Sequence, residues 1–110
     1  MKAPINEKKD KSTKNNIIDL HETLSKKARA LMAKKSHDYA SDADPLRNFR
    51  RFGGYGVVVR LGDKISRLES FEEQQELLVS DETIEDSVLD ILNYAVIYYA
   101  LYREKHPAMA

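Results

Sequence analysis

The sequence predicts an all-α protein: a small helical bundle of three to four core helices, with a long loop after the first and a tendency to form oligomers. Three observations carry that expectation. Apolar residues recur at spacings of three or four along three separate segments, the period of a helix face and not of a strand. The turn formers are gathered into one stretch, where Pro45, Gly53, Gly54 and Gly56 fall within residues 36–56. And 110 residues without a cysteine make one domain with a modest core and no disulfide to hold it, so self-association is a ready way to bury more apolar surface.

Residues 1–14 are Lys-rich and polar and are expected to form a mobile tail ahead of a single domain over residues 15–106. The spacing predicts the first helix from a cap at Asn15 or Asn16 to about Ser36, with Ile17, Leu20, Leu24, Ala28, Leu31 and Met32 as its apolar stripe. His21 falls beside Leu20 and Leu24 and is expected to pack there. Residues 36–56 then break the pattern, and a loop this long in a small domain tends to be functional. It mixes Tyr39, Phe49, Phe52 and Tyr55 with Arg47, Arg50 and Arg51. Rings that stack on a base and guanidinium forks that grip phosphate suit a nucleotide, though the same rings also suit anchors to the core. GGYG lacks the Gly-Lys-Ser/Thr ending of a phosphate-binding P-loop.

A second helix is expected from about Gly56 to Phe71 on the stripe Val58, Leu61, Ile65 and Leu68. Its flank carries Arg60, Asp63, Lys64 and Arg67, either a ladder of intrahelical ion pairs or a set of ligands. Glu72 to Glu76 form a polar link. The last helix holds the longest apolar periodicity, Ile84, Val88, Leu92, Ala95 and Tyr99, widened by Ile91, Val96 and Tyr98. Asp81 is the expected N-cap, and Asp81, Glu82, Glu85, Asp86 and Asp90 put five carboxylates into ten residues with no Lys or Arg among them. Acids in a first turn suit the positive end of the helix dipole. Asp86 and Asp90, one turn apart and next to Leu89, Ile91 and Leu92, need more: a cation between them, either a basic side chain or a hard metal such as Mg2+.

The 18 basic and 18 acidic residues cancel, which removes the usual argument for bulk nucleic-acid binding. Their placement is uneven. Residues 26–51 carry eight basic and three acidic side chains, a net of +5, while residues 81–90 carry −5. That pattern fits a phosphate ligand arriving with its metal, and equally an internal ion-pair arrangement. No apolar leader or membrane-length run is present in the sequence, so a cytoplasmic protein is expected.

Four stretches taken together resemble a known family. Lys35-Ser-His-Asp38-Tyr39, Asn48-Phe49, Val59-Arg60-Leu61-Gly-Asp63-Lys64-Ile-Ser-Arg67-Leu68 and Asp81-Glu82-Thr-Ile-Glu85-Asp86-Ser-Val-Leu-Asp90-Ile-Leu-Asn93-Tyr94 resemble the nucleotide-modification-associated domain of type one. That family of phages and bacteria is related to the all-α MazG-like nucleoside triphosphate pyrophosphatases. The likeness covers about residues 30–100. It implies a MazG-like helical, oligomeric domain handling a nucleotide, here a deoxynucleoside triphosphate, modified or unmodified, hydrolysed with Mg2+ to monophosphate and pyrophosphate. Carried over residue by residue, Asp63, Asp86 and Asp90 are the catalytic and metal-holding acids. Lys35, Arg60, Lys64 and Arg67 would contact phosphates, Tyr39 or Phe49 would pack on the base, Asp38 would bond a base or sugar edge or serve as an additional acid, Asn48 would contact the ligand, and Asn93 would support the ligand or fix a carboxylate. The paired-glutamate motif of those enzymes is absent, replaced by Arg60-x-x-Asp63-Lys64. Two other functions therefore stand beside the hydrolase: a phage-type module that binds or sequesters a nucleotide without cleaving it, and a structural helical oligomer with Tyr94, Tyr98, Tyr99 and Tyr102 at its interface.

Overall fold

The computed structural model describes the backbone of residues 2–39, 44, 46–74 and 83–109, and the side chains of residues 16–35, 44, 46–74 and 83–108. Among the described residues there are three α-helices and one 3-10 turn, and no strand: α1 (Lys2–Tyr39), α2 (Arg47–Gln74), α3 (Ile84–Lys105) and the turn Pro107–Met109. The all-α class expected from the sequence is therefore the class observed.

The helix α1 starts ahead of the cap expected at Asn15 or Asn16, and its backbone is helical from Lys2. It also runs on to Tyr39, and α2 begins at Arg47, so the loop expected over residues 36–56 is much shorter. The reason lies in how α2 starts. Asp44 Oδ1 accepts the Leu46 amide at 3.1 Å, the Arg47 amide reaches the Asp44 carbonyl at 3.3 Å, and the Arg50 amide reaches the Leu46 carbonyl at 3.0 Å. An Asx turn of this kind seeds a helix directly. Arg47 to Phe52 then wind as helix up to Gly53, whose φ of 73° and ψ of −173° kink the element. That combination is open to glycine and costs other residues strain. A glycine cluster read as a loop is thus a hinge between two helical pieces.

Thr83, not Asp81, caps α3; Asp81 and Glu82 lie outside the described residues. Thr83 Oγ1 accepts the Asp86 amide at 3.0 Å, and Asp86 Oδ2 accepts the Thr83 amide at 2.9 Å, a reciprocal capping box. At the other end the His106 amide bonds the Tyr102 carbonyl at 2.8 Å, and Arg103 and Lys105 sit in the last turn, where the dipole favours cations.

α3 is the middle of the fold. It packs against α2 along one side and against α1 along another, while α1 and α2 do not meet among the described residues. Among the described residues Ala28 of α1, Val57 of α2 and Ser87, Leu89 and Ile97 of α3 are buried. Close approach of α2 to α3 depends on Gly54: a Cβ there would stand 3.1 Å from the Tyr98 ring. The rest of the expected core is only partly covered, and Ile17 and Leu20 of α1 stay mostly exposed. His21 is exposed as well, with Nδ1 3.4 Å from Ser25 Oγ, so the expected packed histidine is a surface one.

Candidate functional site: a lysine–carboxylate cluster where three helices meet

The three helices come together at Asp90. Its side chain, 15% exposed, holds Lys64 of α2 at 3.0 Å through Oδ2 and Lys35 of α1 at 3.7 Å through Oδ1. Lys64 is nearly as buried as Asp90, whereas Lys35 is half exposed. Helical register explains the meeting: Lys64 lies two turns after Val57 on the face turned to α3, and Lys35 two turns after Ala28 on the face turned to it from the other side. Asn93, one turn from Asp90, donates its Nδ2 to the Ala28 carbonyl at 3.0 Å, and Lys27 pairs with Glu85 at 2.9 Å. The seam between α1 and α3 thus carries one amide and two ion pairs around the buried Ala28.

Asp86 is drawn in by the same chemistry. Its carboxyl is held below the ordinary aspartate value first by the Thr83 amide and hydroxyl that it caps, and then by the charge of Lys64. Two carboxylates one turn apart required a cation, and the Lys64 ammonium supplies it. Partial burial of Asp90 and Lys64 is tolerable because each charge has a partner.

The other expected site residues scatter around this point. Asp63 and Arg60 are exposed on the outer side of α2, and Arg67 is half-buried one turn past Lys64, with interactions of its own. Phe49 stands edge-on to Tyr94 at 6.2 Å between centroids, one turn beyond Asp90, while Asn48 is exposed. The side chains of Asp38 and Tyr39 lie outside the described residues. The structure therefore brings together Lys35, Lys64, Asp86, Asp90 and Asn93, with Phe49 close by, and leaves Asp63, Arg60 and Asn48 apart. Tyr94 was not singled out as part of the site, although its place four residues after Asp90 puts it on the same face.

A Mg2+ site needs several oxygens converging on one point. Among the described residues no three acidic or histidine side chains do so, Asp86 is committed to its cap, and both Asp90 oxygens face ammonium groups. The donor set of Asp63, Asp86 and Asp90 does not fit a metal in this arrangement.

Away from the cluster, Arg50 bridges Asp44 and Glu104, at 3.0 and 2.7 Å to the two oxygens of Glu104. The bridge lowers both carboxyls and raises the guanidinium. It fastens the start of α2 to the end of α3. Beside it opens a groove of about 590 Å3 lined by Gly53, Tyr55, Val58, Tyr98, Tyr102 and His106, among others.

The fold and the cluster define an all-helical protein in which an aspartate and two lysines meet where its three helices come together. Compared with family models, curated proteins and solved structures, the chain gives no match. No helix among the described residues is long and apolar enough to cross a membrane.

Proposed function

We propose that the chain is a nucleotide-binding module that takes the phosphates of a deoxynucleoside triphosphate at the Lys35–Lys64–Asp90 cluster. The observation that carries this reading is the convergence of two ammonium groups from different helices on one partly buried carboxylate. Lys35, half exposed and 3.7 Å from Asp90, is held loosely enough to turn to an incoming phosphate oxygen. Lys64 stays on Asp90 and fixes the charge around it. The Phe49–Tyr94 pair one turn away offers ring faces and edges to a base. The family resemblance supports the same ligand class, and with it a setting in the cytoplasm of a bacterium or a phage-infected host.

Mg2+-dependent hydrolysis to monophosphate and pyrophosphate is the catalytic form that the resemblance implies. The described carboxylates do not assemble for it, so binding without cleavage is the reading preferred here. One experiment separates the two. The full chain is incubated with each ribo- and deoxynucleoside triphosphate and Mg2+, the melting temperature is recorded, and the products are separated by chromatography. An intact triphosphate that raises the melting temperature, with the rise lost in Lys35→Met, is the expected result. Monophosphate and pyrophosphate as products replace the binding module with the hydrolase. No shift and no product with any triphosphate ends the nucleotide reading.

A further inference from the structure

Part of the apolar stripe that dominates the sequence of α3 is left uncovered by the other described residues. α1 meets α3 through Glu85, Asn93 and Asp90, and α2 meets it through Asp90, Tyr94, Tyr98 and Glu104. At about 100° per residue these contacts leave one face, on which Ala95, Val96 and Tyr99 are exposed and Val88 and Leu92 half-buried. Val96 is 61% and Tyr99 53% exposed. Tyr99 stacks on Tyr102 at 6.1 Å, and Tyr102 lines the groove shared with Tyr55 and Val58 of α2, so the bare surface continues from one helix to the next. Against this the chain buries only Ala28, Val57, Leu89 and Ile97 among its described apolar residues.

Charge identifies the occupant. Glu85 and Arg103 border the face at its two ends, 18 residues apart. That is five whole turns, about 27 Å, so both lie on the same side of the helix. A strip with an acid at one end, a base at the other and apolar side chains between them complements its own copy turned end to end. We infer that two copies of this chain pair through α3, antiparallel about a two-fold axis passing level with Tyr94. Leu92 then meets the partner's Val96, Val88 meets the partner's Tyr99, and Glu85 meets the partner's Arg103. The contact is isologous and closes at two. Glu85 binds Lys27 through Oε2 and keeps a second oxygen for the incoming guanidinium. Of the four tyrosines expected at an interface, Tyr99 and Tyr102 border this one, while Tyr94 and Tyr98 are turned to Phe49 and Gly54.

The inference does not depend on nucleotide binding. A dimer that binds no nucleotide ends the first reading alone. Light scattering of the full chain after gel filtration should give about twice its 12.6 kDa. Val96→Glu, at a position exposed in the single chain, should weaken the dimer at least tenfold and leave the helical circular dichroism unchanged. Glu85→Arg and Arg103→Glu should each weaken self-association; mixed together, the two variants should pair with one another, and the double variant should dimerise again. A wild-type monomer, an oligomer indifferent to Val96→Glu, or charge variants that fail to pair when mixed would each overturn the proposal. Should Val96→Glu fail to fold, the charge exchange still decides.

Discussion

Gly53 carries a backbone conformation that the rest of α2 does not share, and nothing lies within 4 Å of where its Cβ would be. Gly53→Ala is therefore a strain experiment free of collision. We expect it to destabilise the chain by about 1–3 kcal/mol, read from denaturant unfolding. Thr83→Ala removes the capping hydroxyl of α3 and should cost about 1 kcal/mol in the same assay. Lys64 and Lys35 bind one carboxylate but differ in exposure, so their truncations should differ too. Lys64→Met strips a mostly buried Asp90 of its nearer partner and should lower the melting temperature clearly more than Lys35→Met, whose half-exposed pair falls in the range of about 0–1 kcal/mol. Equal effects would mean that Lys64 is not the cation that the two aspartates share.

At the level of elements, the Arg50 bridge makes the α2–α3 contact sensitive to acid. Asp44, Asp86 and Glu104 all have carboxyls held below their ordinary values of 3.8, 3.8 and 4.5. A depressed carboxyl stabilises the fold fully above its unfolded value and loses that contribution as pH falls through the folded one. Helicity should thus hold at neutral pH and fall in a transition below about pH 4. Arg50→Ala, which returns Asp44 and Glu104 toward ordinary values, should make the loss shallower, as followed by circular dichroism. Much of this was legible in the sequence. The all-α class and the demand of Asp86 and Asp90 for a cation follow from spacing alone, whereas the stripe expected to bury α3 is not the face it buries, since Ser87, Leu89 and Ile97 are its buried residues and Ala95, Val96 and Tyr99 stay exposed. What was not legible followed from local contacts that spacing does not encode. Asp44 seeds α2 through its own side chain, which shortened the expected loop, and Thr83 outcompeted Asp81 because Asp86 stands at the third helical position, where it closes the capping box. The convergence of Lys35 on Asp90 from another helix lay beyond any local pattern.

For the molecule as a whole, pairing through α3 ties stability to concentration. The melting temperature of the wild type should climb with protein concentration, and that of Val96→Glu should stay flat. Differential scanning calorimetry over a hundredfold range of concentration separates these outcomes. The central place of α3 has a further consequence, for the order of events during synthesis. Among the described residues α1 and α2 do not meet, and both are joined through a helix made after them. A growing chain that has finished α1 and α2 lacks the contacts that α3 makes with both of them, so Ala28 and Val57 wait uncovered until α3 emerges. The described contacts between helices all involve α3, so a ribosome halted before residue 84 would carry a chain without them.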